Sequence, residues 1–176
     1  MLTIRPSLPA DLPAIQSIYA HSVLRGTSSF ELQAPDLDEM TRRREAVLGR
    51  GWPWLVAQAS GQVVGYAYAD AFRPRPAYRY TVEDSIYLHP AATRRGTGRV
   101  LLAELMARCA QRGARQMLAV IGDSASQASI ELHRALGFEP CGLLRHVGWK
   151  FDAWRDVVLM QRQLALGATQ PAAESA

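Results

Sequence analysis

The chain lacks the features that would direct a protein into a membrane or an oxidising compartment. No apolar run approaches the roughly 20 residues that a membrane span needs, and segment 1–14 lacks the charged, then apolar, then small-residue order of a secretory signal. The two cysteines, Cys109 and Cys141, have no metal-type spacing and no neighbouring cluster of cysteine and histidine. We therefore expect a cytoplasmic protein with two unpaired thiols, no bound metal and no membrane contact.

Asparagine is absent, and Lys150 is the sole lysine beside 19 arginines, which leaves a formal net charge of +4. A coding bias explains this composition by itself. Alternatively, some arginines bind planar anions, because a guanidinium group presents five donors in a fixed fork. The charge also suggests a nucleic-acid-binding module, but the basic residues are spread along the sequence and no nucleic-acid motif is present. We therefore expect no nucleic-acid partner.

No repeat or linker interrupts the 176 residues, of which 48% are hydrophobic. This length suits one domain that buries a sizeable core, and we place that domain at residues 1–164. The remaining segment, 165–176, has no apolar periodicity and is predicted to be disordered.

Apolar periodicity and breaker residues predict the element order β-α-α-β-β-β-α-β-α-β-β. This order lacks the strict alternation of strand and helix that a dinucleotide-binding fold requires. One short run is continuously apolar, as expected for a strand covered on both faces. That run is 116–121. The other predicted strands are 2–5, 53–59, 62–72, 82–89, 139–149 and 153–163. The first predicted helix begins near residue 12, and the others span 36–50, 97–112 and 126–136.

Residues 85–99 read SIYLHPAATRRGTGR, which predicts a strand, a loop rich in arginine and glycine, and the start of a helix. A helix start attracts anions through its unpaired N–H groups and its partial positive charge, and glycines let an anion approach the backbone. The segment lacks both the Gly-Lys-Ser/Thr of an NTPase loop and the third glycine of the dinucleotide fingerprint. It indicates a diphosphate site of another kind, or else an ordinary helix start with turn glycines.

This segment resembles the acetyl-CoA motif of the GNAT superfamily of N-acetyltransferases, Gln/Arg-x-x-Gly-x-Gly/Ala, with Thr93 in place of Gln or Arg. Further segments resemble one branch of that superfamily, the phosphinothricin and methionine sulfoximine or sulfone N-acetyltransferases. The resemblance spans residues 2–164. The segments that carry it are 52–57, 80–87, 119–122, 132–138, and 148–150 with 154–156.

The resemblance implies an α/β fold of mixed α+β type, in which about four helices flank a mixed, mostly antiparallel sheet of six or seven strands. It implies acetyl transfer from acetyl-CoA, the cosubstrate, to the α-amino group of a small amino-acid analogue such as phosphinothricin, methionine sulfoximine or methionine sulfone. Another amine, such as a protein N-terminus, an aminoglycoside or a further metabolite, is the alternative acceptor. The branch usually forms homodimers, so we expect a second copy as the protein partner.

The same resemblance places the cofactor at the end of the fourth strand and the start of the following helix. The strand backbone would pair with the pantetheine amides like an added strand, and the N–H of Leu88 would face the oxyanion. Ser126 stands where this branch commonly has an asparagine that contacts the cofactor. The expected cofactor-binding residues are Ile86, Tyr87, Leu88, Arg94, Arg95, Gly96, Thr97, Gly98, Arg99, Ser126 and Ser129.

Two residues are expected to be catalytic. Glu83 matches the base proposed for the family, and apolar neighbours would raise its pKa toward the working range; a surface glutamate paired with Arg79 is the alternative. Asp84 alternates to the opposite face of the strand and is the weaker candidate. His133 matches the helix from which many superfamily members supply a proton to the leaving thiolate, although a packed, hydrogen-bonded histidine would give the same sequence.

The acceptor pocket is expected to be built from arginine and phenol groups close to Glu83, because an arginine fork matches a carboxylate or phosphinate bidentately. A solvated arginine loop is the alternative for these residues. Phe30 and Lys150 are further candidates for the wall and the charge of the pocket, or else core or dimer-contact residues. The expected substrate-binding residues are Phe30, Arg73, Arg75, Tyr78, Arg79, Tyr80 and Lys150.

Overall fold

Seven strands form one sheet in the computed structural model, which describes residues 1–169. The strand order is β1-β2-β3-β4-β5-β7-β6, and every neighbouring pair is antiparallel except β4 and β5. The predicted element order and fold class are confirmed. The strands are β1 Leu2–Pro6, β2 Trp54–Ala59, β3 Gln62–Ala71, β4 Thr81–Leu88, β5 Gln116–Gly122, β6 Glu139–Lys150 and β7 Ala153–Gln163.

Four helices cover the sheet in two layers. In one cluster, apolar residues of α1 and α2 pack with Trp54 and Tyr66 of the sheet. In the other, α3 and α4 pack on Val82 and Met117, which face the opposite way. Alternation of side chains along β4 therefore assigns each residue to one layer or the other. The helices are α1 Leu12–Arg25, α2 Leu37–Gly49, α3 Thr97–Gln111 and α4 Gln127–Ala135.

The parallel pair β4 and β5 separates part of the way along. Pairing runs from Thr81 opposite Gln116 to Asp84 opposite Ala119 and then stops. Beyond that point β4 stays paired with β3, whereas β5 stays paired with β7, so the two strands diverge as a wedge. The expectation that β5 is covered on both faces is wrong at Val120, which is 38% exposed because it borders this opening.

The C-terminal segment was expected to be disordered from residue 165. Residues 165–169 form turns, in which the N–H of Gly167 donates to the carbonyl of Leu164, which is buried. The rest of that segment, 170–176, lies outside the described residues. Within the described part of the chain, no helix has the length and apolar character needed to cross a bilayer. The same residues contain no group of three histidine, cysteine or acidic side chains arranged to hold a metal ion.

Candidate active site

The wedge between β4 and β5 forms a cleft of about 50 Å³. It brings together four residues predicted from the sequence, namely Ile86, Tyr87, Ser129 and His133. The loop after α1 and the end of β5 also line this cleft, and the sequence did not predict them. The separation of two strands leaves no local signal in the sequence. The lining residues are Ser28, Asp84, Ser85, Ile86, Tyr87, Ala119, Val120, Ile121, Gly122, Ser129 and His133.

The loop between β4 and α3 has the backbone geometry of an anion cradle. Arg94 and Gly96 adopt left-handed conformations, with φ of 58° and 79°, and Gly96 caps α3 without a side-chain hydrogen bond. Successive N–H groups in such a turn converge on one point. A Cβ at Gly98 would lie 3.2 Å from Leu132 Cδ2 and 3.3 Å from Leu88 Cδ1, so glycine lets the helix start approach β4 closely. These features fit a diphosphate group.

Three exposed arginines and one buried threonine surround this cradle. Arg94, Arg95 and Arg99 are exposed and can turn toward a bound anion, whereas Thr97 is buried at the first turn of α3. The partial charge at the start of this 15-residue helix has the same sign as the guanidinium groups. The loop therefore brings three guanidinium groups and the positive end of a helix dipole to the segment that follows β4.

Two residues that depart from the family motif make contacts of their own. The Thr93 hydroxyl donates to the carbonyl of Pro90 at 2.8 Å, so it closes its own turn. The Ser126 hydroxyl donates to the carbonyl of Gly122 at 2.9 Å and ties the start of α4 to the end of β5. Both hydroxyl protons are used within the protein, which leaves only the oxygen lone pairs for a ligand.

Glu83 lies on the face of β4 that is turned toward α1 and α2, and it is half-buried. It lines a second cleft with Tyr68, Asp70 and Ser85, and Ser85 also lines the wedge. Burial raises the pKa of Glu83, and the charges of Asp84 and Asp70 raise it further, while Arg73 opposes the shift. A carboxyl group with a raised pKa is suited to accept a proton near neutral pH.

Asp84 points to the other layer, where its carboxylate meets His133. Asp84 Oδ2 lies 3.1 Å from His133 Nε2, and the two side chains are 2% and 3% exposed. His133 Nδ1 lies 2.7 Å from the carbonyl oxygen of Ser129, one turn earlier in α4. Burial alone would lower the pKa of His133, but the hydrogen bond and the charge of Asp84, helped by the Ser129 carbonyl, raise it above its ordinary value.

Phe30 and Lys150 hold the loop between α1 and α2 beside the wedge. The Phe30 ring packs against two glycines; a Cβ at Gly148 would lie 2.3 Å from Phe30 Cε2, and one at Gly122 would lie 3.1 Å from Phe30 Cε1. Lys150 is 3% exposed, and its Nζ donates to the carbonyl of Ser29 at 2.6 Å. Burial lowers the pKa of Lys150, and the charge of Glu31 opposes this.

The arginine and tyrosine residues before β4 do not form one pocket around Glu83. Arg73 is near enough to Glu83 to affect its pKa, and its guanidinium lies 4.9 Å from the Phe72 ring centre. Arg79 instead lies over the Tyr80 ring at 4.5 Å and donates to the carbonyl of Pro76.

Two of these residues line a cleft away from Glu83. Arg79 and Tyr80 form this cleft with Trp52 and Arg112. Arg75 and Tyr78, which lie on the same loop, are exposed. Among these residues, Arg73 is therefore the one whose charge acts on the predicted base.

Residues 16–138 match the acetyltransferase (GNAT) family. The chain is 52% identical to a phosphinothricin N-acetyltransferase of Alcaligenes faecalis over 95% of this chain and 85% of that protein. It is 40% identical to an L-methionine sulfoximine/L-methionine sulfone acetyltransferase of Salmonella typhimurium, over 93% and 95% of the two chains. The crystal structure of a GNAT superfamily phosphinothricin acetyltransferase from Sinorhizobium meliloti in complex with AcCoA matches with a TM-score of 0.96 and 48% identity, covering 98% of this chain and 94% of that one.

Proposed function

The chain belongs to the acetyltransferase (GNAT) family, and we propose that it transfers the acetyl group of acetyl-CoA to the α-amino group of a small amino-acid analogue such as phosphinothricin, methionine sulfoximine or methionine sulfone. The names of the similar proteins support this acceptor class. The observation that carries the proposal is the separation of β4 from β5 after Asp84, with an anion cradle at its open end. A carboxyl group with a raised pKa lies on the strand that borders this wedge.

Acetyl-CoA would lie along β4 with its diphosphate on the loop before α3. Residues 94–99 would bind the diphosphate through converging N–H groups and the arginines Arg94, Arg95 and Arg99. Beyond Asp84 the β5-facing edge of β4 has no strand partner, so Ile86 and Leu88 lie where backbone groups could pair with the pantetheine amides. The thioester would then enter the wedge.

Glu83 would act as the general base. The acceptor amine carries a proton at neutral pH, and only its neutral form attacks the thioester carbonyl. As the N–C bond forms and the C–S bond breaks, the amine loses protons and the sulfur leaves with the electron pair. The backbone N–H of Leu88 would donate to the oxyanion that forms in between. Ser85, which lines both clefts, connects the Glu83 side of β4 with the thioester side.

The acidic end of the acceptor would meet Arg73, since that arginine is exposed and close to Glu83. Phe30 would form an apolar wall of the pocket, because its ring is held between Gly122 at the end of β5 and Gly148 of β6. Lys150 would fix the same loop through the carbonyl of Ser29. An arginine fork facing a carboxylate or phosphinate, together with an apolar wall, suits a compact amino-acid analogue.

We also propose that two copies associate through β6 and β7. The strand β6 is at the edge of the sheet, and large apolar side chains on this hairpin are exposed. Exposed apolar surface on an edge strand is typical of an interaction site. A dimer is expected in sedimentation at micromolar concentration, and a Trp154→Glu variant should shift it toward the monomer, whereas a monomeric wild type would contradict the proposal. The exposed apolar side chains of the β6–β7 hairpin are Leu143, Leu144, Val147, Trp149 and Trp154.

A cytoplasmic location is proposed for the protein as well. Cys109 is buried and Cys141 is exposed, and both are free thiols, which suits a reducing compartment. Fractionation of the source cells checks this directly, because recovery of the protein in the periplasmic or secreted fraction would contradict it.

The acceptor class is tested by incubating the protein with acetyl-CoA and separate candidate amines, with thiol release as the readout. The panel contains phosphinothricin, methionine sulfoximine, methionine sulfone, aspartate and an alanine-starting peptide. We expect turnover on the first three. Turnover only on the peptide or aspartate would replace the acceptor class and leave acetyl transfer intact. Added salt should change the rate only modestly, whereas a nucleic-acid-binding function would depend steeply on salt.

A further inference from the structure

Asp84 and His133 form a buried pair on the side of β4 that faces α4. The carboxylate comes from the last residue of β4 that still pairs with β5, and the imidazole comes from the last turn of α4. The edge of the Phe138 ring contacts the imidazole, with 4.9 Å between ring centres. Both members of the pair also line the wedge. A polar pair that is this deeply buried is held in one arrangement, because burial limits the competition of water for its hydrogen bonds.

The hydrogen bonds of His133 determine where its protons lie. His133 Nδ1 lies 2.7 Å from the Ser129 carbonyl oxygen, which can only accept, and 3.5 Å from the Ser129 hydroxyl oxygen. The shorter contact assigns a proton to Nδ1, which donates it to the carbonyl. A neutral imidazole would then present a bare Nε2 to Asp84 Oδ2 at 3.1 Å, with two lone pairs facing each other. A second proton on Nε2 turns this repulsion into a charge-assisted hydrogen bond. The geometry therefore favours an imidazolium paired with a carboxylate.

The nearby titratable groups on α3, α4 and β4 are a neutral thiol, an exposed ion pair and a carboxyl group on the opposite face of the strand. From α3, the thiol of Cys109 faces the pair, and burial, followed by the charge of Asp84, raises its pKa to about 12, so it stays neutral. On α4, the charged neighbours Glu131 and Arg134 are exposed and bonded to each other. From β4, Glu83 points to the opposite layer. Asp84 Oδ1 is buried and has no hydrogen-bond partner within residues 1–169, so His133 is the principal counter-charge of this carboxylate.

We propose that Asp84 is a positioning residue that holds His133 in one orientation as an imidazolium beside the wedge, so that the pair supplies a proton to the departing thiolate. This inference rests on the proposed acetyl transfer. The C–S bond breaks with its electrons on sulfur, and the proton shared by Nε2 and Oδ2 passes to that sulfur. The ammonium group loses two protons on becoming an amide. One leaves to solvent, and the other replaces the proton that the pair has given up.

Asp84→Asn tests this role, because the amide keeps the size of the side chain but removes its charge. The first readout is the protonation of the imidazole of His133 by nitrogen NMR in protein without substrate, assigned with His133→Gln. We expect the imidazole of His133 to stay doubly protonated to a higher pH in the wild type than in Asp84→Asn, because only the wild type has the carboxylate partner. Loss of the proton at the same pH in both proteins would overturn the proposal.

The second readout is steady-state kinetics on whichever amine the panel identifies. We expect Asp84→Asn to lower kcat by about tenfold or more, within the range of general acid catalysis, with KM for acetyl-CoA changed less than about twofold. Glu131→Gln, on the exposed side of the same helix, serves as the matched control and should leave both constants unchanged. An unaltered kcat and pH profile in Asp84→Asn would overturn the proposal.

Two further results keep the proposal separate from protein stability and from the choice of acceptor. If Asp84→Asn does not fold, Asp84→Ser and His133→Gln are measured instead, and kcat reduced equally in both single variants and in the double variant supports one coupled unit. Additive losses contradict it. If no amine of the panel reacts, the NMR titration still decides the protonation of His133, so failure of the acceptor assignment is distinguished from failure of the pair.

Discussion

Glu83 and Asp84 are neighbours in the sequence, yet the two faces of β4 give their carboxyl groups opposite environments. Glu83 lines an open cleft with Tyr68 and Asp70, and its pKa is raised by burial and by acidic neighbours. Asp84 is closed in between β4 and α4, with His133 as its partner. In the proposed reaction, one carboxyl group thus gains a proton from the acceptor, and the other holds a proton on a neighbouring ring until the sulfur leaves. Two adjacent acids can serve opposite ends of one reaction when a strand separates them.

The largest difference between the faces should be in stability. His133→Ala leaves the Asp84 carboxylate buried and unpaired, which should lower the free energy of unfolding by about 3–5 kcal/mol. Glu83→Gln should change it by less than about 1 kcal/mol, because the cleft admits water to Glu83. Urea unfolding followed by fluorescence compares the two variants. Equal losses would show that the two carboxyl groups are not in different environments.

For the rate of acetyl transfer, the larger effect should come from the Glu83 face of β4. Glu83→Gln should reduce kcat/KM for the acceptor by about 100-fold at neutral pH, because the variant has no general base. The loss should shrink at high pH, where the amine is already neutral. The pH–rate profile of acetyl transfer measures this, with Glu131→Gln as the control at an exposed carboxylate. A profile that keeps its shape in the variant would remove Glu83 as the base.

A substitution in β6 tests the wall of the acceptor pocket. Gly148→Ala places a Cβ where the Phe30 ring now lies, so the ring and its loop must move. We expect KM for the acceptor to rise by about tenfold, equivalent to about 1.4 kcal/mol, with KM for acetyl-CoA nearly constant. Gly142→Ala, also in β6, meets only the flexible side chain of Leu159 and provides the control. Equal effects at both glycines would contradict the role of Phe30.

The smallest effect is the dependence of stability on pH. The pKa of His133 is raised on folding, so the native state holds more protons than the unfolded state, and stability falls as pH rises from the ordinary histidine value of 6.5 through the folded value. The slope should not exceed about 1.4 kcal/mol per pH unit. The raised pKa of Glu83 gives a fall of the same sign that begins near 4.5. Unfolding measured between pH 6 and 9 should show the fall in stability that comes from His133 in the wild type. The free energy of unfolding should depend less on pH in Asp84→Asn.

The element order and the turn before α3 could be predicted because their signals are local. Apolar periodicity located the helices, and glycine, proline and arginine within 85–99 indicated the turn whose left-handed residues are Arg94 and Gly96. The opposite faces of Glu83 and Asp84 also follow from alternation along a strand. Each of these inferences needs only residues that are close together in the chain.

The partners of these residues could not be predicted in this way. Asp84 and His133 are 49 positions apart, and Lys150 is 121 positions from the carbonyl of Ser29 that it contacts. Val120 was misjudged because its exposure depends on where β4 stops pairing with β5. Packing of one element against another determines such contacts, and a one-dimensional pattern does not record it.

The sequence by itself determined the kinds of groups this protein has available: a strand bearing two carboxyl groups, a glycine- and arginine-rich helix start, and a histidine in the last predicted helix. Their local conformation follows from backbone sterics and side-chain alternation. Only the tertiary structure decided which carboxyl group faces an open cleft and which is sealed against His133, because burial and hydrogen-bond partners exist only once the layers have packed. The chemistry expected of each acid depends on that packing.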